Sequence, residues 1–147
     1  MASTESVLTF TPQLVLLRHG ETQWSRDRRH TGRTDLELTS DGEAQAVAAG
    51  RFVTRLPALG GRRFAQVRTS PLLRARRTAE LAGFPGAQID PNLMEWDYGR
   101  VEGRTSQEVS DDVGHGWQIF RDGVHDGAAP AAAGHPTGGG AGGGAGG

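Results

Sequence analysis

Four consecutive aliphatic residues, Leu14 to Leu17, are followed at once by Arg18, His19 and Gly20. A short apolar run of this kind is typical of a parallel strand that is buried on both faces. The carboxyl end of such a strand is where ligands bind in open α/β sheets. A guanidinium there can bind phosphate oxygens, and a neutral imidazole can attack phosphorus. Taken alone, the Arg–His pair fits a phosphate site and an ordinary surface pair equally well.

A helix is predicted after this first strand. Ser40 and Glu43 have the S-x-x-E spacing of a capping box, which predicts that Ser40 caps the helix. Apolar residues then recur at helical spacing. They predict the face that covers the sheet, and they are Ala44, Val47, Ala48, Phe52 and Leu56.

A second strand and a second helix are predicted next. Residues 64–67 indicate a short strand that ends at Thr69–Ser70. Ser70 followed by Pro71 predicts the start of a helix that runs to about Ala82. Gln88–Ile89 predicts a third strand. This alternation of strands and helices indicates an α/β layered fold.

The composition excludes several classes of protein. A net charge of −1 over 147 residues argues against a general nucleic-acid binder. The absence of cysteine excludes disulfides, thiolate metal sites and a cysteine nucleophile. All 16 basic residues are arginine, whose planar guanidinium suits phosphate. Residues 1–12 have the features of neither a signal peptide nor a membrane span, so we expect a flexible N-terminus on a cytoplasmic protein with no membrane partner.

Four ordered blocks of the sequence carry a resemblance to a known family. The blocks are Arg18–Ser25, His30–Thr39, Thr69–Ala79 and Leu93–Gly99, the last followed by Glu102–Gly103. Together they resemble the histidine phosphatase superfamily, which includes the cofactor-dependent phosphoglycerate mutases. Four blocks in order are far more specific than one short motif. The resemblance extends from about Leu14 to Gly123 and implies a three-layer α/β/α phosphoglycerate mutase-like sheet.

The resemblance also implies catalytic roles for four residues. His19 matches the nucleophile that takes the phosphoryl group as a phosphohistidine. Arg18 and Arg74 match the two arginines that clamp the phosphoryl oxygens. A solvated helix face shared with Arg76 and Arg77 is the less favoured alternative for Arg74. Glu95 matches the general acid, and its neighbours Met94 and Trp96 are expected to shield it from water, which would favour its neutral form.

The substrate is expected to be a small phosphorylated metabolite, bound without a metal or a cofactor. Within the site, Glu21 and Thr22 are expected to brace the loop more than touch the substrate. The Ser25 hydroxyl is expected to donate a hydrogen bond to phosphate. The Thr31–Gly32 turn is expected to form hydrogen bonds with the substrate. The expected substrate-binding residues are Gly20, Glu21, Thr22, Gln23, Trp24, Ser25, Thr31, Gly32, Trp96, Asp97 and Tyr98.

The same phosphohistidine serves phosphatases and mutases, and the two differ in what accepts the phosphoryl group. The blocks at 31–35 and 95–99 are more similar to the phosphatase branch. Mutases of the family typically carry long insertions after the Glu95 region, whereas the stretch from Gly99 to Trp117 is short here. These features favour hydrolysis over a mutase-type transfer. The sequence leaves the oligomeric state open, including a homo-oligomer.

The end of the chain departs from the family pattern. From Asp126 onwards the sequence uses only Asp, Gly, Ala, Pro, His and Thr, which cannot bury apolar surface. The family's second histidine has no match after Gly123, and His115, His125 and His135 are assigned no role. We interpret the tail as a truncated or frameshifted end, with a natural low-complexity tail as the rival interpretation.

These observations predict three segments: a flexible N-terminus at 1–12, an incomplete histidine phosphatase domain at 13–125 and a disordered tail at 126–147. Loss of core strands would leave such a domain marginal, because a domain of this size already buries only about two-thirds of its surface. Phosphatase activity of the chain is then expected to be greatly reduced. A catalytically dead family member, or a phosphate-ester binding module, is therefore the alternative to an enzyme.

Overall fold

The computed structural model describes residues 13–56, 59–60 and 63–124. The segments predicted as a flexible N-terminus and a disordered tail lie outside the described residues. Two 3-10 turns occur at Pro91–Leu93 and Gly99–Val101. The helices are α1 (Gln23–Arg26), α2 (Ser40–Val53), α3 (Leu73–Leu81), α4 (Ser106–Val113) and α5 (Ile119–Asp122), and the strands are β1 (Arg68–Thr69) and β2 (Gln88–Ile89).

The two strands form a parallel pair joined by α3. Arg68 pairs with Gln88 and Thr69 with Ile89. The third predicted strand is therefore confirmed, and so is the α/β class. The second strand is shorter than predicted, since residues 64–67 precede it and only the Val67 carbonyl joins the ladder, accepting from Gln88 N at 3.0 Å.

Residues Leu14–Leu17 do not form the buried strand that the sequence predicts. Leu14 and Leu16 are both 83% exposed, and the segment has no regular secondary structure. A parallel strand needs ladder partners and cover on both faces. Among the described residues no strand pairs with this segment, so its apolar side chains stay uncovered. The prediction was wrong because an apolar run shows what a strand would bury, not that a neighbour is present.

Helix α2 is capped by Thr39 and not, as predicted, by Ser40. The Thr39 hydroxyl accepts from Gly42 N at 3.0 Å and donates to the Glu21 carboxylate at 2.8 Å. The Thr39 amide also donates to the Glu21 carbonyl at 2.9 Å. These bonds to a distant loop fix Thr39 as the residue before the helix. Glu43 is consequently free of the capping box and pairs with Arg77 at 2.9 Å.

The buried face of α2 also differs from the predicted one. Its buried residues are Gly42, Ala46, Gly50 and Val53, whereas Ala44 and Ala48 are not among them and Phe52 is 69% exposed. Small residues on this face allow the backbone to approach its neighbours closely. A Cβ on Gly50, for example, would lie 2.3 Å from the Ala82 carbonyl oxygen just after α3. Close backbone packing, and not apolar spacing, therefore selects the buried face.

Helix α3 begins two residues later than predicted. Leu72 is extended and precedes the helix, and the Ser70 hydroxyl accepts only from Leu72 N. The first helical amide, on Leu73, donates to the Asp35 carboxylate at 2.6 Å. The cap is thus supplied from 38 positions away in the chain, which local spacing cannot predict.

A small hydrophobic core includes a residue of α4. Val101, Val109 and Trp117 are buried together, with Tyr98 and Ile119 packed against them. A capping box of Thr105 and Glu108 starts α4. Within the described part of the chain, no helix combines the length and apolarity needed to cross a bilayer.

The close approach at Gly50 predicts a large effect of one methyl group on stability. Alanine favours helix by up to about 1 kcal/mol over glycine, but the new Cβ would overlap a backbone oxygen that cannot move cheaply. We expect Gly50→Ala to lower the free energy of unfolding by about 1–3 kcal/mol, as measured by urea unfolding. Gly86→Ala is the matched control, because a Cβ there meets nothing within 4 Å. Equal midpoints of urea unfolding for Gly50→Ala and Gly86→Ala would contradict this packing.

Candidate active site

His19 lies half-buried at the end of the Leu14–Leu17 segment, with one ring nitrogen fixed. Its Nδ1 lies 2.8 Å from the Gly20 carbonyl oxygen. A carbonyl can only accept, so Nδ1 carries the proton and donates it. In the neutral ring the lone pair then lies on Nε2. The local backbone therefore selects the tautomer in which Nε2 can act as a nucleophile.

Three charged residues act electrostatically on this imidazole. Burial lowers the pKa of His19, and the positive charges of Arg74 and Arg18 lower it further. The bond to Gly20 and the negative charge of Glu95 act in the opposite direction. The structure therefore brings together all four residues that the resemblance marks as catalytic. The net effect favours the neutral imidazole.

The His19 pKa can be tested by proton NMR titration. Because its pKa lies below the ordinary 6.5, His19 is expected to be neutral at pH 6.5, and any activity that needs its lone pair should rise with pH through a midpoint below that value. Arg18→Gln removes a positive charge, so the His19 pKa should rise. His30 is the internal control, since its pKa is lowered chiefly by burial. A His19 pKa of 6.5 or above would contradict this electrostatic arrangement. So would a His19 pKa that is the same in the wild type and in Arg18→Gln.

Arg74 is one of the most buried side chains described, at 2% exposure. Its Nη2 donates to the Gly32 carbonyl at 2.7 Å and its Nη1 to the Thr34 carbonyl at 2.9 Å. Burial lowers the pKa of Arg74, opposed by the negative charges of Asp35, Glu95 and Glu102. Its burial excludes the alternative of a solvated helix face. A guanidinium has five N–H groups, so these two bonds leave donors for a phosphoryl oxygen.

Glu95 is more exposed than the sequence predicts. Its carboxylate accepts from the Trp96 amide at 3.0 Å, and both Glu95 and Trp96 are exposed. The Trp96 ring instead packs against Phe120, with centroids 6.1 Å apart. The expectation that Met94 and Trp96 shield Glu95 from water is therefore wrong for this structure.

The loop after His19 is braced by its own side chains. Thr22 is completely buried and caps α1, as expected of a bracing residue. Glu21 pairs with Arg26 at 2.7 Å as well as holding Thr39. The Ser25 hydroxyl accepts from Thr22 N at 2.9 Å and donates to Thr22 O at 3.0 Å. That hydroxyl is thus engaged in the cap rather than directed to a ligand.

The remaining residues of this loop also make internal contacts. Gly20 is buried against the first turn of α2, where a Cβ on it would lie 2.1 Å from the Gly42 carbonyl oxygen. Gln23 donates to the Asp27 carboxylate at 3.0 Å. The Trp24 ring lies against Gly103. These contacts tie the loop after His19 to α1, to α2 and to Gly103.

The Thr31–Gly32 turn faces the Glu95 segment. The Thr31 hydroxyl donates to the Arg29 carbonyl at 3.1 Å. A Cβ on Gly32 would lie 2.1 Å from the Trp96 carbonyl oxygen. The turn and the Glu95 segment are therefore in direct backbone contact, which only glycine permits at this position.

Asp97 and Tyr98 extend this second wall of the site. Asp97 accepts from Gly99 N at 2.9 Å and pairs with Arg33 at 3.7 Å. The Tyr98 ring lies beside His30, with centroids 5.4 Å apart. Burial raises the pKa of Tyr98, and the charges of Glu95 and Glu102 add to that effect.

Two further residues support the site, although the sequence analysis assigned them no role. Thr78, 3% exposed, accepts from Gly20 N at 3.1 Å and donates to Arg74 O at 2.7 Å, and so ties the His19 loop to α3. Glu102 accepts from the amides of Gly32 and Thr34. Both lie in the motif blocks, and the one-turn spacing from Arg74 to Thr78 was the signal that could have indicated a shared face.

The later histidines do not complete the site in the described structure. His115 is exposed, and its charge acts on Asp122 rather than on His19. His125 and His135 lie outside the described residues. Within residues 13–56, 59–60 and 63–124, no group of three or more potential metal ligands is found.

Comparison with known proteins places this geometry in a family context. Residues 14–137 match the sequence profile of the histidine phosphatase superfamily, branch 1. The match continues past Gly123, so the resemblance extends further than the motif blocks indicate.

Several curated relatives match most of the chain. It is 35% identical to the sedoheptulose 1,7-bisphosphatase of Saccharomyces cerevisiae over 136 residues, covering 81% of this chain and 50% of that protein. It is 43% identical to an acid phosphatase of Mycobacterium tuberculosis, covering 66% of this chain and 46% of that protein. It is 38% identical to a 2,3-bisphosphoglycerate-dependent phosphoglycerate mutase of Caulobacter vibrioides, covering 70% of this chain and 44% of that protein. The chain spans about half the length of these relatives.

Solved structures agree with the sequence matches. The product of open reading frame Rv3214 of Mycobacterium tuberculosis aligns with a TM-score of 0.62 and 36% identity, covering 72% of this chain and 52% of that chain. The protein TTHB049 of Thermus thermophilus aligns with a TM-score of 0.51 and 44% identity, covering 61% of this chain and 47% of that chain. At these identities the likeness is one of sequence as well as of fold.

Proposed function

Because this chain belongs to branch 1 of the histidine phosphatase superfamily, we propose that it hydrolyses phosphomonoesters through a phosphohistidine on His19. The family and the relatives named phosphatase and mutase support a phosphoryl-transfer enzyme in general. The observation that carries the specific proposal is the His19 ring, whose proton is held on Nδ1 by Gly20 while Arg18, Arg74 and Glu95 act on it.

The first step is transfer of the phosphoryl group to His19. Nε2 forms a bond to phosphorus as the bond from phosphorus to the ester oxygen breaks. The transition state is loose and spreads charge over the equatorial oxygens, which Arg18 and Arg74 stabilise. The step requires the protonated form of Glu95, which gives its proton to the leaving oxygen, so the product departs as a neutral alcohol.

The second step returns the enzyme to its starting state. Glu95, now a carboxylate, takes a proton from water as the water oxygen bonds to phosphorus. The bond from Nε2 to phosphorus breaks, inorganic phosphate leaves and the imidazole is neutral again. Glu95 is protonated once more, so the proton count closes.

Mutase-type transfer is the second candidate, supported by the mutase among the relatives. It uses the same first step but passes the phosphoryl group to a second hydroxyl instead of water. The short stretch from Gly99 to Trp117 favours water as the acceptor. It holds only a 3-10 turn and helix α4 before Trp117. A small phosphorylated metabolite is the proposed substrate class, and a cytoplasmic location stays a prediction from the sequence.

The proposal is tested by quenching the purified chain during reaction with a labelled phosphate ester. We expect acid-labile, base-stable label on His19, and release of inorganic phosphate even when a competing alcohol is present. Label on a serine, or activity that requires an added divalent metal, would contradict the mechanism. Complete transfer to the alcohol would favour the mutase, and a chain that binds phosphate without labelling would favour a binding module.

A further inference from the structure

Glu102 and Arg74 hold the same short turn from opposite sides. One carboxylate oxygen of Glu102, Oε1, accepts from the amides of Gly32 at 2.9 Å and Thr34 at 3.0 Å. The carbonyls of those same two residues accept from the Arg74 guanidinium at 2.7 and 2.9 Å. The turn is therefore bound by an anion through its N–H groups and by a cation through its C=O groups. Such bonds polarise the peptide groups and strengthen one another.

The second oxygen of Glu102 makes this arrangement unusual. Oε2 is buried and has no hydrogen-bond partner in the described structure. A buried carboxylate oxygen without a partner is costly. The nearby positive charge of Arg74 offsets part of that cost, since the two groups interact electrostatically.

The turn also contacts the segment that carries Glu95. At Gly32 a Cβ would lie 2.1 Å from the Trp96 carbonyl oxygen and 2.8 Å from Glu102 Oε2. A shift of the turn would therefore move both the guanidinium bonded to it and the backbone beside Glu95. An error of about 1 Å in such a group can cost about a hundredfold in rate.

We propose that Glu102 is a positioning residue, which acts through the 32–34 turn to fix the Arg74 guanidinium for the phosphoryl group. This inference rests on the proposed function, because it assigns Arg74 to the phosphoryl oxygens. Glu102 itself touches no substrate. Its contribution depends on the presence of the arginine on the far side of the turn.

A double-mutant cycle tests this dependence, with inorganic phosphate as the probe and calorimetry as the measurement. We expect Glu102→Ala to weaken phosphate binding about tenfold and Arg74→Lys to weaken it by at least as much. The two changes together should weaken it no more than Arg74→Lys alone, because coupled residues are not additive. Glu102→Gln keeps an oxygen acceptor for both amides and should restore most of the lost affinity.

Glu108→Ala is the matched control. Glu108 also accepts a backbone amide, Thr105 N at 2.8 Å, and pairs with an arginine, Arg29 at 3.2 Å, but in the α4 capping box. It should lower the melting temperature without changing phosphate affinity. Additive losses in the cycle, or normal binding by Glu102→Ala, would overturn the inference.

A second measurement does not depend on binding or activity. Exchange of the Arg74 guanidinium protons with solvent, followed by nitrogen-15 NMR, should speed up in Glu102→Ala and not in Glu108→Ala. Unchanged exchange would overturn the role of Glu102 by itself. If the wild-type chain neither binds phosphate nor labels His19, but exchange is still faster in the Glu102→Ala variant, the result would instead contradict the proposed function.

Discussion

Replacing His19 with alanine is expected to abolish both the labelled intermediate and turnover. The imidazole supplies the only protein atom that bonds to phosphorus in the proposed path, so its removal eliminates the path. Loss of a nucleophile lowers turnover by roughly three orders of magnitude or more. The measurement is quenched-flow labelling together with steady-state release of phosphate. The fold should be retained, because His19 is only half-buried and Gly20 stays bound to Thr78.

His115→Ala is the control for this prediction. His115 is an exposed histidine beside Asp122, so its loss removes an imidazole without touching the site. The His115→Ala variant should form the labelled intermediate and turn over substrate like the wild type. If His19→Ala retained its label, another residue would be the nucleophile. If His115→Ala lost its label, the described site would be incomplete as we interpret it.

The sequence predicted which of these residues act on one another better than it predicted the packing of the helices. His19, Arg18, Arg74 and Glu95 were chosen from ordered motifs, and the structure brings them together. A motif identifies its residues by type and spacing, which the sequence shows directly. The buried face of α2 was predicted wrongly because it depends on which backbone comes close.

The two errors at helix starts have a common cause. Thr39 is held by Glu21, and the Leu73 amide is held by Asp35. Both partners are distant in the sequence, so local capping patterns could not show them. Glu102 was overlooked for the same reason, since its importance lies in a turn seventy positions earlier.

Glu95→Gln is expected to separate esters by their leaving groups. An alkyl alkoxide is a poor leaving group and needs the proton that Glu95 supplies, whereas an activated aryl oxide needs little help. Loss of a general acid costs about 10² to 10⁴ in rate, so hydrolysis of alkyl phosphates should fall by that factor. Formation of the phosphoenzyme from an aryl phosphate should change little, as measured by the burst of released phenol.

Glu80→Gln is the matched control, because Glu80 is an exposed carboxylate on α3 that pairs with Arg77. It should leave both ester classes unaffected. The exposure of Glu95 in this structure makes the test demanding, since water can reach the carboxylate and could itself supply a proton. Equal losses on alkyl and aryl esters would mean that Glu95 acts on the phosphoryl group or on the loop and not on the leaving oxygen. A large difference between them would instead show that proton delivery, and not loop structure, is what Glu95 contributes.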